Sequence, residues 1–192
     1  MSHRAGLDQK AVVQAAAELV DRSGIEQLTL ARLAQKLGIR VPSLYNHVAG
    51  LAGLRREMAL LARQEVIVTF RRAATGKAGD EAILALANAS RAYAKEHPGL
   101  YALAQLALDP DDSELQAASQ EIVDIIVAVL AYYGLSDEDA LHAVRGLRSI
   151  IHGFVSLETS GGFGLPLNLD ESYYRLVKVF TDGLRQRYPF QH

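Results

Sequence analysis

The chain has 192 residues, 49% hydrophobic and 22% charged, with a net charge of -2 and no cysteine. This is the composition of an ordinary globular protein, which excludes fibrous, collagenous and disordered classes. The missing cysteines remove disulfide frameworks, thiolate metal sites and a cysteine nucleophile, and they fit a reducing cytoplasm.

The predicted elements are all helical, about nine in number with no sheet. Asp8 caps a first helix that buries Val12, Ala16, Leu19 and Val20 and stops at Ser23-Gly24. Thr29 caps a second helix through Leu37, with Gly38 ending it. Pro42 suits the first turn of a third, running to about His47. A long helix then spans about Leu51 to Ala74, and another runs from Asp80 to His97. Pro98 permits a new start, giving Gly99 to Leu108. Ser113 caps a helix to Tyr133, and Ser136 to Asp139 has the spacing of a capping box for one reaching about Glu158. A glycine-rich loop from Ser160 to Pro166 precedes the last helix, Asp170 to Arg187. No run of about 18 apolar residues is apparent, so no membrane-spanning helix and no membrane partner is expected. The start, MSHRAGLDQK, lacks the apolar core of a signal peptide.

The junction of helices two and three is the most demanding stretch. Ala34 is small enough for close helix approach, Gly38 supplies a reversal, and Leu44 plugs between the two helices, which describes a helix-turn-helix. Its outer face presents Arg40, Val41, Ser43, Tyr45, Asn46 and His47, groups able to meet thymine methyls, base edges or phosphates. Charge is asymmetric in the same sense. Residues 1–56 carry eight basic and four acidic groups, net +4, against 12 basic and 18 acidic in the remainder, net -6. A structural αα-hairpin shows the same small–glycine–leucine spacing, so a helical small-molecule binding protein with a purely structural hairpin stands as the alternative to a DNA-binding head.

The segments Ala15-Ala16-Ala17-Glu18-Leu19, Gly24, Leu28-Thr29-Leu30, Leu33-Ala34, Leu37-Gly38-Ile39 and Ser43-Leu44-Tyr45-Asn46-His47-Val48 resemble the N-terminal domain of the tetracycline-repressor (TetR) family, over residues 8 to about 58. Ser149 to Glu158, with the following Gly-rich loop and Glu171-Ser172-Tyr173, resembles a subgroup with a Trp-His-Gly motif, Ile151 standing where Trp would. The resemblance implies a ligand-responsive transcriptional regulator, usually a repressor, acting as a homodimer on a palindromic operator. It implies DNA contacts from Thr29 and Arg32 on helix two and from Arg40, Val41, Pro42, Ser43, Tyr45 and His47 on helix three, the tyrosine and histidine holding phosphates. Two positions depart from the pattern. Ala31 stands where many members carry a basic residue, with Arg32 next. Leu51 replaces a common phosphate-binding Lys, leaving Arg55, Arg56 or the free N–H groups of helix four to substitute.

The expected organisation is a DNA-binding domain over 1–50 and a ligand-binding and dimerisation domain over 51–192. Helix eight is apolar on two faces and the last helix on one, which fits a four-helix interface with a symmetry mate. Leu147, Ile151, Phe154, Tyr173, Leu176, Val177, Phe180 and Leu184 are its candidate residues. Candidates for the pocket of a small hydrophobic or aromatic effector are Met58, Leu61, Tyr93, Tyr101, Leu106, Ile126 and His152. No nucleophile elbow, P-loop, zinc-protease motif or dinucleotide fingerprint occurs, and the six histidines lack metal-ligand spacing. No enzyme activity, cofactor or metal is expected.

Overall fold

The computed structural model describes residues 7–106 and 109–188. Among them the chain is all helix, with nine α-helices and no strand. In order these are α1 (Gln9–Ser23), α2 (Leu30–Leu37), α3 (Val41–Leu44), α4 (Gly50–Ala74), α5 (Gly79–Glu96), α6 (Pro98–Gln105), α7 (Ser113–Leu130), α8 (Asp137–Thr159) and α9 (Leu169–Arg187). Short 3₁₀ turns cover Ile25–Gln27 and Ala131–Tyr133. The predicted end of the sixth helix at Leu108 lies outside the described residues, as does Arg4 of the basic head.

Side-chain caps set several starts. Asp8 Oδ1 accepts the Ala11 N–H at 2.7 Å, and Thr29 Oγ1 accepts that of Arg32 at 3.2 Å. Asn168 accepts from Asp170 and Glu171 at the head of α9. Asp8→Ala is expected to cost about 1 kcal/mol, read as a melting temperature lower by about 2–4 °C. Three predicted details change. Asp112, whose Oδ1 accepts the Leu115 N–H, caps α7 in place of Ser113. The Ser136 side chain makes no capping bond, and Asp137 enters α8 with a positive φ of 50°. The third helix is a single turn, because beyond Leu44 the chain tightens into i→i+3 bonds such as His47 N–H to Leu44 O.

A fourth difference concerns hydropathy. Ser113–Tyr133 is long and apolar enough to cross a membrane by length and composition, although Glu121 and Asp124 interrupt it. Looking for an uninterrupted apolar run overlooks such a segment. Its buried members, Leu115, Ala118, Ile126, Leu130 and Tyr133, are core positions of a helical protein.

The described residues form two compact units. One draws on Met1–Gln64 and Glu96–Gln116, the other on Glu65–Lys95 and Ala117–His192. In the first, α1 packs on α2 and α6. Val12, Ala16, Leu33, Leu44, Leu54 and Met58 are fully buried and form its centre. Asp21, at the last turn of α1, ties down the start of α6. Its Oδ1 accepts the N–H groups of Gly99 (2.9 Å) and Leu100 (3.0 Å), and its Oδ2 lies 2.9 Å from His97 Nδ1. The approach is so close that only glycine fits at 99. A Cβ there would lie 2.4 Å from Val20 Cγ1 and 2.6 Å from the Val20 carbonyl carbon and oxygen.

In the second unit α8 packs on α9, and a charged cluster lies within the fold. Arg91, 9% exposed, donates to both oxygens of Glu158 (2.7 and 2.5 Å) and to Asp170 (2.7 Å). Its guanidinium also lies 5.6 Å from the Phe154 ring centre and 5.0 Å from that of Tyr173. Arg91 and Lys95 together hold the Glu158 carboxyl down at about 2. A second knot joins Asp80 to the Tyr133 hydroxyl at 2.7 Å, to Thr181 at 3.2 Å and to Arg185.

Candidate nucleic-acid interface

The first unit presents a helix-turn-helix whose turn is dictated by two residues. Gly38 sits in the left-handed region (φ 66°, ψ 29°), and Ile39 N–H bonds back to Ala34 O at 3.0 Å, closing the end of α2. A side chain at 38 would have to adopt this disfavoured backbone. Leu44, fully buried, then anchors α3 against the core. Pro42 adds a preset φ in the first turn, where no side chain caps the helix and the Ser43 N–H bonds to the Arg40 carbonyl at 2.9 Å.

The anchoring turns the predicted contact residues outward. Tyr45 is 61% exposed, and Thr29, Arg32, Arg40, Pro42 and Asn46 are also exposed. Val41, Ser43 and His47 are half-buried at the edges of the same surface. Gly50 follows with φ 69°, and a Cβ placed there would lie 3.9 Å from the Tyr45 ring.

The basic residues of the head divide into two kinds. Arg32 folds back to donate to the Gln27 carbonyl (2.9 Å) and side chain (3.3 Å), which fixes its guanidinium beside the start of α2. Lys36 pairs with Glu18 at 2.6 Å and lowers that carboxyl's pKa, so its charge is spent joining α2 to α1. Arg56 is engaged by Asp112, Glu57 and Glu114 at 2.6, 2.8 and 2.8 Å, which raises its pKa further. Of the two arginines considered as stand-ins for the absent lysine, Arg56 is therefore committed to carboxylates. Among the described residues, Arg40 and Arg55 make no ion pair.

The candidate effector residues fall on both units. In the first, Met58 and Tyr101 are buried, Leu61 is half-buried and Leu106 is 59% exposed. In the second, Ile126 is buried, Tyr93 is buried with its hydroxyl donating to Glu65 at 2.9 Å, and His152 is exposed. Of these seven only Leu106 lines the open cavity of about 410 Å³ that the first unit contains. Arg63, on the cavity wall, was not among the candidates. One arginine in a helical sequence carries no mark of being 3% exposed.

The candidate dimer residues are mostly covered within the single chain. Leu147, Ile151, Phe154, Tyr173, Val177 and Leu184 are buried within the single chain. Tyr173, for example, donates its hydroxyl to Ala87 O at 2.6 Å. Apolar spacing marked them as covered, and the cover is this chain's own second unit. Leu176 and Phe180 remain half-buried. The apolar groups left exposed nearby are Leu141, Leu157, Leu165, Leu167, Tyr174 and Val179.

Residues 83–180 match the family model described as the tetracyclin repressor-like C-terminal domain. The helix-turn-helix-type transcriptional regulator YobS of Bacillus subtilis is 38% identical over 185 residues, 96% of each chain. Among solved structures, a possible TetR family transcriptional regulator from Streptomyces coelicolor superposes with a TM-score of 0.71 at 25% identity, over 94% of this chain and 100% of that one. A tetracycline repressor from Acinetobacter baumannii, solved in complex with minocycline, superposes with a TM-score of 0.68 at 20% identity, over 96% and 99% of the two chains. A match running through head and body alike, and not only through the short reader motif, fixes the relationship: this protein is a member of the tetracycline-repressor (TetR) family of transcriptional regulators.

Proposed function

We propose that the chain is a ligand-responsive repressor that binds a palindromic operator as a homodimer. The observation that carries this reading is the surface around α3. A single helical turn, pinned from below by Leu44, displays Arg40, Pro42, Tyr45 and Asn46 to solvent while three other cations of the head are tied down internally. In this reading Val41, Ser43 and Asn46 meet base edges in the major groove. Thr29, Tyr45 and His47 hold phosphates, joined by Arg40, Arg55 and the free N–H groups at the start of α4. Arg32 positions the start of α2.

The homodimer uses the exposed surface of α8 and α9. Six of the ten large apolar side chains left exposed among the described residues lie between Leu141 and Val179. The outer face of α8 carries Ser149, Gly153 and Ser156, small groups that let a symmetry mate approach. Two heads about 34–36 Å apart would then enter successive major grooves. An effector, by preferring one of two conformations, shifts α4 and with it the head. The Acinetobacter TetR-Q116A, solved in complex with minocycline, shows a small molecule held by this fold. The exposed His152-Gly153 pair beside buried Ile151 is consistent with the Trp-His-Gly subgroup.

The test is selection of duplexes from a random pool, followed by fluorescence anisotropy across a salt series. Affinity should fall with a log–log slope of about -0.9 per phosphate contact. Tyr45→Ala should weaken all duplexes alike, by about tenfold, whereas Asn46→Ala should change which bases are preferred. Absence of any duplex binding at low ionic strength would overturn the reading and leave a helical small-molecule carrier.

A further inference from the structure

A groove of about 400 Å³ opens in the second unit between the last turns of α4, the link to α5 and the second half of α7. The volume lies within the range of small-ligand sites. Its floor is apolar and built of small or branched side chains, Ala74 from α4 and Ile125, Ala128 and Val129 from α7. None of the seven candidate effector residues lines it.

Tyr132 supplies an aromatic wall, half exposed and held in place. Gly79 makes the room for its ring: a Cβ there would lie 2.6 Å from Tyr132 Cε1 and 2.9 Å from Cδ1. Tyr133 packs edge-on against the same ring, with centres 5.4 Å apart and planes at 83°, and is itself tied to Asp80 at 2.7 Å. A ring so placed offers a flat ligand an aromatic surface that needs no ordering on binding.

The lining carries one sign of charge. Two cations, Arg71 and Lys77, line the groove and no carboxylate does. Arg71 pairs with Glu121 at 2.7 Å, which leaves that pair neutral, whereas Lys77 makes no ion pair among the described residues. Bare carbonyls at the end of α4 would oppose an anion, and two of them are already taken. Arg71 O accepts the Thr75 N–H (3.1 Å) and hydroxyl (2.7 Å), and Ala74 O accepts the Lys77 N–H (3.1 Å). The balance is one positive charge beside an apolar floor and an aromatic wall.

We propose that the groove takes a small, flat aromatic carboxylate, its ring system over Ala128 and Val129 beside Tyr132 and its carboxylate at Lys77. Every residue involved belongs to the second unit, and the binding does not rest on the regulator reading.

The experiment is a fluorescence titration of 2-naphthoate and 2-naphthamide with the full chain, which has no tryptophan to obscure the naphthalene emission. Naphthoate is expected to bind with a Kd of about 1 mM or below. It should bind about threefold to fivefold more tightly than the amide, the range for an exposed ion pair. Lys77→Gln should remove that preference and leave the amide unchanged. Ala128→Glu should weaken naphthoate at least about tenfold, since it places bulk and a like charge on the floor. Ala128→Gln, bulk alone, should weaken both ligands alike. Lys77 and Ala128 are exposed, so these variants keep the fold, which circular dichroism checks. Equal binding of the two ligands, no binding of either at millimolar concentration, a preference that survives Lys77→Gln, or naphthoate affinity unchanged by Ala128→Glu would overturn the proposal. A parallel arm measures duplex binding. Naphthoate binding by a chain that ignores duplexes would sink the regulator reading and leave the groove standing; duplex binding without naphthoate binding would do the reverse.

Discussion

Gly99→Ala is expected to lower the stability of the first unit by about 3 kcal/mol or more, at or beyond the upper end of ordinary overpacking. The added methyl group would fall 2.4 Å from Val20 Cγ1 and 2.6 Å from the Val20 carbonyl carbon and oxygen. Rotating Val20 relieves the first contact only. The other two are with backbone, so α1 and α6 must separate. Separation also strains the three contacts that Asp21 makes with His97, Gly99 and Leu100. Differential scanning calorimetry should show a melting temperature lower by about 6–12 °C, at about 2–4 °C per kcal/mol for a chain of this size. Val20→Ala in the same chain should restore little of it. Full restoration would mean that the side chain alone sets the clearance.

Arg91→Ala should cost about 3–5 kcal/mol, the range for breaking a buried ion pair by removing one partner. The loss has two parts. Glu158 stays buried with only Lys95 to balance it, and the Phe154 and Tyr173 rings lose the cation between them. The pair also has a signature in acid. The Glu158 pKa of about 2 lies below its ordinary 4.5, so its contribution is fully present above about pH 4.5 and disappears as pH falls through about 2. In Arg91→Ala the carboxyl titrates closer to its ordinary value, and less of the stability difference between the two proteins should survive at pH 2 than at pH 6. Urea denaturation at both pH values reads this directly. An equal difference at both would show that the pair contributes nothing through charge.

What the sequence made legible was local. Asp8 and Thr29 announce helix starts because a short oxygen-bearing side chain reaches an N–H two or three residues on. Gly38 and Leu44 announce the helix-turn-helix because only one backbone and one plug satisfy so tight a turn. The contacts joining distant segments left no such trace. Arg91 finds Glu158 and Asp170 across 67 and 79 positions, and Asp21 finds Gly99 across 78. Periodicity was blind in another way: a regular apolar stripe reports that a face is covered and says nothing of what covers it. Leu147, Ile151 and Tyr173 show this: their spacing fits an interface between chains, and in the single chain they are already buried. Arg63 was invisible as a cavity group because nothing local distinguishes an arginine facing solvent from one facing a hollow.

The second helix of the helix-turn-helix, α3, is only four residues long, Val41–Leu44. One turn of helix has no stability of its own in water, since the cost of nucleating it outweighs its few hydrogen bonds. Its shape is borrowed from the buried Leu33, Leu44 and Val48 beneath it. An engineer who copied residues 40–47 onto a foreign scaffold would import the lettering without the page. Transplanting this surface means moving the hydrophobic floor along with it.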